Sequence, residues 1–424
     1  MNRLTQHIAT LLWLASALML TNCTADDHTV NAGEEAEAIT FGAKVEGQIT
    51  RSSAVGIIDY SVLSTTGFGV YAYGMTDEDW YNKEVEFTGT TPTANPEDLY
   101  VYPNQWSYWG MDKPTYWKKD QTTSFYAYAP YGTNGCMTAL APSSGTADPT
   151  VAYTIADSPD NCVDLLWGVN GNTGKPWTNA TLAQTNGPIL FTFRHALAAI
   201  GFHVQAFIDK DNNPDDLNDE SEVANLLGTS GKYKITVKQL TISGNFYPSA
   251  TLNLNNTDDN TPLWSNQGDN SSSKTLTVAN SLINADFRHP SGDTAGSIMG
   301  NSSLTGITQD AQQLIIVPNA TTGKEQCFFV IPDATERNYT VTIDWVISGQ
   351  APDGTYISEE RTSTVNVNNL SLSAGIKYYI NFIISLRSLS LNVTATDWDD
   401  TPQELNVTIE HGTSANSSLT KERH

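Results

Sequence analysis

Basic residues are scarce in this chain. Its 424 residues carry 22 Lys and Arg against 46 Asp and Glu, which gives a formal net charge of −24 and a pI near 4.4. Proteins that bind a phosphate backbone need a basic surface, and no local basic patch outweighs an acidic field of this size. We therefore expect no nucleic-acid partner, and the acidity is typical of a solvated extracellular surface.

Cysteine is also rare, with four residues in the chain. Cys23 follows an apolar leader, and the other three are Cys136, Cys162 and Cys327. These three cannot all pair within one chain because their number is odd. Two alternatives stay open, a Cys136–Cys162 bridge across a loop or free buried thiols, and the spacings match no zinc motif.

Signatures of catalysis and cofactor binding are missing. HExxH and GxSxG do not occur, and the glycine-rich stretches Gly171–Lys175 and Gly228–Lys232 do not fit the phosphate-loop spacing. The segment Asp209–Glu220 matches several positions of a calcium-loop template, but Pro214 stands where that loop requires glycine. We interpret the segment as a solvated loop, with calcium binding as the alternative, and His195 as a core or edge histidine. The sequence predicts a protein that is not an enzyme and has no cofactor or metal.

Residues 1–22 have the features of a secretion signal. A short basic start precedes the apolar core Ile8–Leu20. Residues 20–23 (LTNC) resemble the lipobox of bacterial lipoproteins, which predicts a lipid on Cys23 and the cell outer membrane as the location. Asp26 and Asp27 resemble the surface-export signal of Bacteroidetes lipoproteins. Plain secretion is the alternative. No later run reaches the roughly 18 apolar residues that a membrane helix needs, so lipid is the expected anchor.

The segment Ile39–Ser52 alternates apolar and polar residues with a period of two, which predicts a half-buried first strand. Arg51 and Ser52 follow that strand in a polar stretch. One interpretation is that a trypsin-like protease cuts after Arg51 and releases the strand. The other is an ordinary first strand followed by an unrelated arginine. The apolar side chains of the predicted strand are Ile39, Phe41, Ala43 and Val45.

Short β-strands dominate the rest of the chain. They are predicted at residues 68–73, 124–128, 189–204 (two strands that meet near His195), 233–242, 328–331, 339–347, 356–367, 378–384 and 389–395. Polar turns separate them, which predicts an all-β chain of two β-sandwich domains in series. The expected limits are residues 52–208 and 232–410, joined by the acidic segment 209–231 and followed by a polar tail at 411–424.

The last predicted strand, Leu405–Glu410, mirrors the first at the other end of the chain. Leu405, Val407 and Ile409 alternate with polar residues. This strand either pairs within its own domain or is offered to a neighbouring molecule.

An aromatic cluster lies between Trp80 and Trp177, a range that holds six of the ten tryptophans and several tyrosines. Exposed aromatic rings stack on sugars, whereas buried rings fill the core of a large β-sandwich. The sequence favours the core, since that is the commoner use of aromatic residues in such folds.

Taken in order, these segments resemble the fimbrillin family, the subunits of type V pili. The matching stretches are residues 20–23, 39–53 (ITFGAKVEGQITRSS), 68–74 (FGVYAYG), 104–131, 189–204 (ILFTFRHALAAIGFHV) and 378–398. The resemblance implies two transthyretin-like β-sandwich domains and export as a surface lipoprotein. It also implies arginine-specific removal of a propeptide, residues 23–51, by cleavage between Arg51 and Ser52. Polymerisation by strand exchange follows, with Leu405, Val407 and Ile409 as the donor strand.

The implied partners are other pilus subunits, a processing protease, the outer membrane through the lipid, and a host glycan or protein ligand. A fimbrium that mediates adhesion is therefore the expected function. The alternative is a surface lipoprotein that binds glycans through the aromatic cluster between Trp80 and Trp177.

Overall fold

The computed structural model describes residues 37–46, 57–74, 79–88, 106–108, 114–117, 121–132, 135–140, 147–185, 187–207, 233–257, 261–278, 286–288, 315–316, 327–350, 356–385, 389–397, 403–404 and 409–410. Within these ranges most of the regular structure is β-strand, so the predicted all-β class is confirmed. The division into two transthyretin-like domains stays a prediction.

Eleven of the strands precede the acidic segment: β1 (Phe41–Val45), β2 (Phe68–Tyr73), β3 (Trp80–Phe87), β4 (Trp106–Tyr108), β5 (Thr123–Ala129), β6 (Met137–Leu140), β7 (Thr150–Thr154), β8 (Leu166–Asn170), β9 (Trp177–Ala180), β10 (Ile189–His195) and β11 (Ala198–Phe207). The helices in this part are α1 (Tyr60–Thr66) and α2 (Leu182–Thr185), with a 3₁₀ turn at Pro159–Asn161.

The strands that follow the acidic segment are β12 (Tyr233–Gly244), β13 (Ser249–Asn253), β14 (Leu263–Ser265), β15 (Lys274–Val278), β16 (Asp286–Arg288), β17 (Ile315–Ile316), β18 (Cys327–Val330), β19 (Asp333–Gln350), β20 (Tyr356–Leu372), β21 (Ile376–Ser385), β22 (Leu389–Asp397), β23 (Gln403–Glu404) and β24 (Ile409–Glu410). Each strand predicted from alternation between residues 68 and 395 overlaps one of the observed strands, and the run 189–204 divides into β10 and β11 as expected.

The described strands form four sheets. Sheet 1 has the order β1-β10-β8-β5-β2-β3-β4, with β9 on β5, and sheet 2 the order β14-β13-β7-β6. Sheet 3 runs β17-β11-β21-β22-β23 with β18 on β11, and sheet 4 runs β15-β12-β19-β20-β24 with β16 on β12. Strand β11 precedes the acidic segment yet pairs with β18 and β21, which follow it. The domain limits at 52–208 and 232–410 stay a prediction.

Sheet 1 separates two hydrophobic cores. In β2 the side chains of Phe68 and Val70 face one core, which also contains Phe41, while Tyr71 faces the other. In β5 the same alternation sends Phe125 to the first core and Tyr128 to the second. Both faces of the sheet are therefore buried, and we name the first of these cores, the one around β1, the first-strand core.

Helix α1 closes one end of the first-strand core. Asp59 caps it, because its Oδ1 accepts a hydrogen bond from the backbone N–H of Val62 at 2.8 Å. Leu63 is fully buried on the inner side of the helix. Gly67 ends the helix at φ +63°, and an added Cβ would meet the Val85 carbonyl oxygen at 2.7 Å, so a side chain is excluded there.

Candidate functional site

The candidate site is the groove in sheet 1 that holds β1. This strand lies at the end of the sheet and pairs in parallel with β10, with Phe41 opposite Ile189 and Val45 opposite Phe193. The Ile189 N–H donates to the Thr40 carbonyl oxygen at 2.8 Å. Parallel neighbours cannot be joined by a tight turn, so the first strand reaches its place from a distant part of the sequence.

A second stretch of backbone contacts the same segment just before β1. The N–H of Ile39 donates to the carbonyl oxygen of Thr115 at 2.8 Å, and Ala38 forms an antiparallel bridge with Tyr116. The Thr115 N–H in turn donates to the hydroxyl of Tyr108 at 2.9 Å. The first-strand segment is thus bonded to β10 along β1 and to residues 114–117 just before it.

The apolar face of the segment is completely covered. The exposed fractions are 1% for Ile39, 0% for Phe41, 0% for Ala43 and 5% for Val45. The predicted removable strand therefore places its four apolar side chains in the interior, as the alternation indicates.

Phe41 is the centre of this packing. Its ring centroid lies between 6.0 and 6.4 Å from the centroids of five other rings. Tyr108 belongs to β4, at the far end of sheet 1, so contact between Phe41 and Tyr108 brings the two edge strands of the sheet together. The five rings are those of Phe68, Trp80, Tyr108, Phe125 and Phe191.

Charged groups lie at the rim of the groove. Arg194 Nη2 donates to Glu46 Oε1 at 3.0 Å and Arg194 Nε donates to Glu46 Oε2, so the guanidinium holds the carboxylate with two hydrogen bonds. On another side, the Lys83 ammonium lies 4.6 Å from the centroid of the Trp80 ring and 5.1 Å from that of Tyr108. Both cations cover aromatic or apolar surface and face solvent.

The chain is anchored again shortly after the predicted cleavage site. Ile57 and Ile58 are buried, and the Ile58 N–H donates to Asp164 Oδ2 at 3.1 Å. The same carboxylate oxygen lies 2.7 Å from His195 Nδ1, and Asp164 has no exposed surface. The expected core histidine is confirmed as buried, and its carboxylate partner fixes the segment that begins at Ile57.

The residues predicted to be cleaved or lipidated lie outside the described residues. Cys23, Arg51 and Ser52 are all in parts of the chain that the structure does not describe, as is the acidic segment with its calcium-loop alternative, Asp209–Glu220. These assignments stay predictions.

Only the last two residues of the predicted donor strand, Ile409 and Glu410, are among the described residues. Ile409 lies in β24, where its backbone pairs with Val367 of β20 at the edge of sheet 4. Leu405 and Val407 lie outside the described residues. Among the described residues, a two-residue ladder therefore attaches β24 to its own molecule.

Most of the described part of the aromatic cluster lies in the interior, although Tyr81 and Tyr116 are exposed. Trp80, Trp106, Trp117 and Trp167 are buried, with exposed fractions of 8% or less. Trp177 is half-buried and donates its Nε1–H to the Leu190 carbonyl oxygen at 3.0 Å. In the described part of the cluster no tryptophan is free to stack on a sugar, so the interpretation as core is the better one there.

The three later cysteines are buried and form no disulfide bond. Burial raises the pKa of the Cys162 thiol to about 12, and burial likewise raises the pKa of Cys136. Both thiols therefore stay protonated near neutral pH, and of the two alternatives the buried thiols without a bridge are the ones observed. Across the described ranges no group of three His, Cys, Asp or Glu side chains forms a metal site, and no helix is long and apolar enough to span a membrane.

Comparison with known proteins gives one family and several solved structures. The model of a family described as fimbrillin-like matches residues 59–398. A crystal structure of a fimbrial protein from Bacteroides vulgatus has a TM-score of 0.54 at 16% identity, and the match covers 85% of this chain and 99% of that one. A candidate cell adhesion protein from Bacteroides uniformis gives 0.37 at 14% identity, over 85% and 98% of the two chains. No curated protein sequence matches the chain.

Proposed function

Because the chain belongs to the fimbrillin-like family, we propose that it is a structural subunit of a cell-surface pilus that assembles by strand exchange. The observation that carries the proposal is the groove that holds β1. This short parallel strand lies at the end of its sheet, and its apolar side chains are all buried. When a protease cuts after Arg51, the strand in the groove is no longer covalently connected to the rest of the subunit.

An empty groove is unfavourable in free energy, because apolar surface that β1 covers would be exposed to water. Fully burying one large apolar side chain is worth roughly 1.5–3 kcal/mol, and Ile39, Phe41 and Val45 are all buried here. Together they contribute on the order of 5–9 kcal/mol, which is comparable to the stability of a whole domain. A vacated groove therefore takes up another strand by β-augmentation.

A neighbouring copy supplies the replacement in our proposal. Leu405, Val407 and Ile409 repeat the alternation of the first strand, and β24 is attached to its own molecule through two residues. Insertion of this strand into the next subunit is a head-to-tail contact that need not close on itself, so it produces a fibre.

Export and anchoring complete the proposal. Cys23 receives the lipid, the subunit reaches the cell outer membrane, and the cut after Arg51 releases it from the lipid-bearing propeptide. The partners are other pilus subunits, the processing protease and a host glycan or protein bound by the assembled fimbrium. The chain acts as a structural and adhesive protein and not as an enzyme.

The test is trimming followed by assembly. Trypsin treatment of the full chain is expected to give a product that begins at Ser52 and a ladder of SDS-resistant, heat-labile oligomers. Arg51→Ala is expected to remove both, because the bond is no longer a substrate. The measurements are N-terminal sequencing and electrophoresis of unheated samples.

Lys44→Ala is the matched control, since it removes the other basic residue near the site from within β1. This variant is expected to trim and assemble as the wild type does. Equal ladders from wild type and Arg51→Ala would exclude Arg51 as the assembly switch.

A further inference from the structure

Glu46, the residue that follows β1, is held by its backbone and by its charge. The Glu46 N–H donates to the Phe193 carbonyl oxygen at 2.8 Å, and the Arg194 guanidinium binds the Glu46 carboxylate with two hydrogen bonds. The Arg194 side chain is 19% exposed and that of Glu46 50% exposed. Two-point Arg–carboxylate contacts are directional, so they favour one placement of the acidic residue.

The donor segment ends in the same way as β1. Residues 41–46 read FGAKVE and residues 405–410 read LNVTIE. When Leu405 is placed at Phe41, the three apolar residues of the donor fall on the three buried positions of β1. Glu410 then falls at the position of Glu46.

Other placements of the donor lose this match. A shift by one residue turns the apolar side chains away from the core, because side chains alternate along a strand. A shift by two residues places Glu410 at Lys44 or beyond the end of β1. An antiparallel donor brings Glu410 to the Phe41 end of the groove, away from Arg194. One register in one direction therefore satisfies both the apolar positions and the charge.

We propose that Arg194 fixes the register and direction of the incoming strand by exchanging Glu46 of its own chain for Glu410 of a second copy. This inference rests on the strand exchange proposed above, and it names the residues that select the partner strand. When the cut strand leaves the groove, Glu46 leaves with it. A second, strongly acidic copy is repelled by most of the neighbour's surface, so a cation at the rim of the groove selects where its acidic residue can dock.

The groove offers the donor a longer pairing than the one described in its own chain. Among the described residues, Ile409 and Glu410 pair with Val367 and Asn366 at the edge of sheet 4. Insertion beside β10 reproduces the pairing of β1 from Phe41 to Val45.

The experiment uses one donor chain and one acceptor chain, altered so that a single donor strand can enter a single groove. The donor carries Arg51→Ala, so its own first strand stays attached. The acceptor is trimmed and carries Val407→Asp, which prevents it from donating. The acceptor also receives Arg194→Glu together with Glu46→Arg, so that the chain keeps an ion pair at this place until the cut strand leaves the groove. The readout is the rate at which the heterodimer appears by size-exclusion chromatography.

Reversing the acceptor charge is expected to slow heterodimer formation by about tenfold, because Glu410 then meets a like charge. A donor with Glu410→Arg is expected to restore the rate to within about threefold of wild type. The same donor is expected to be slow with an acceptor that keeps Arg194. Lys274→Glu in the acceptor changes the net charge equally on β15, in sheet 4, and is expected to have no effect.

The outcomes separate the two proposals. One outcome is that the pair with Arg194 in the acceptor and Glu410 in the donor forms a heterodimer that Arg194→Glu does not slow or Glu410→Arg does not rescue. Either result overturns the role of Arg194 and leaves strand exchange standing. Failure of the unreversed pair to form any heterodimer overturns both proposals.

Discussion

At the scale of single residues, Phe41 connects β1 to the rest of the first-strand core. Its side chain has no exposed surface and contacts rings from β2, β3, β4, β5 and β10. Three of these contacts are edge-to-face, and such contacts add to the energy of burial. Phe41 therefore contributes a large share of the binding energy of β1.

Phe41→Ala is expected to destabilise the uncut chain by about 3–5 kcal/mol, because it leaves a cavity among five rings. Denaturant unfolding of the full chain measures the loss. The first strand of the variant is also expected to leave the groove more readily, so trypsin trims it faster.

The trimmed form provides an internal control. Cleavage after Arg51 removes residue 41, so trimmed wild type and trimmed Phe41→Ala have the same sequence and are expected to assemble at the same rate once the cut strand has left. A stability loss of less than about 1 kcal/mol in the uncut chain would contradict the central position of this ring.

Two residue contacts at the site were not predictable from the sequence. His195 could be interpreted as a core histidine from its apolar surroundings, but its partner Asp164 lies in a different strand connection and no local pattern links them. Arg194 and Glu46 are separated by 148 positions. Only the parallel alignment of β1 with β10 brings them together, and alternation does not contain that information.

At the scale of elements, alternation predicted which residues of β1 are buried and did not predict what the strand pairs with. The period of two assigns a side chain to a face of the strand, whereas the neighbour depends on contacts far along the chain. Residues 189–204 were predicted as two strands because both halves are apolar, and the structure confirms this. Helix α1 was missed, since its seven residues are too few to show helical periodicity.

A chimera tests the donor as an element. In a chain with Arg51→Ala, residues 41–46 are replaced by the donor sequence LNVTIE. We expect this chain to fold with its groove closed and to unfold at a somewhat lower denaturant concentration than the Arg51→Ala parent. The reason is that Leu fills less of the Phe41 site, while the apolar positions and the terminal Glu are kept.

The matched control uses the same six residues with each apolar–polar pair reversed, NLTVEI. This order directs the apolar side chains away from the core. It is expected to leave the groove unfilled and to expose hydrophobic surface, detected by dye binding. If the two chimeras behave alike, residues 405–410 are not suited to the groove.

At the scale of the whole molecule, charge opposes assembly. The trimmed chain, residues 52–424, keeps 19 basic and 40 acidic residues, for a net charge of −21. Two such subunits repel each other over a distance that salt shortens, with a Debye length of about 10 Å at 0.1 M. Self-repulsion therefore slows the encounter, even though one ion pair favours the docked strand.

We expect the assembly rate of trimmed subunits to rise several-fold as NaCl increases from about 20 mM to about 200 mM, because screening weakens the repulsion. Light scattering after a fixed trimming time measures the rate, and sucrose at equal osmolality serves as the control. A rate that falls with salt would mean instead that complementary charged faces steer the encounter.

The short connection between Glu46 and Ile57 contains the proposed cleavage site, and its length sets the effective concentration of β1 at the groove. Glu46 is held by Arg194, and Ile58 is held by Asp164. While residues 47–56 are intact, β1 competes for its groove at an effective concentration on the order of millimolar, far above that of a free donor. One cut in this connection ends that advantage and disturbs none of the contacts within the groove. If the proposed cut occurs, the trimmed subunit begins as a complex of two pieces, and we expect its delay before assembly to equal the residence time of its own first strand.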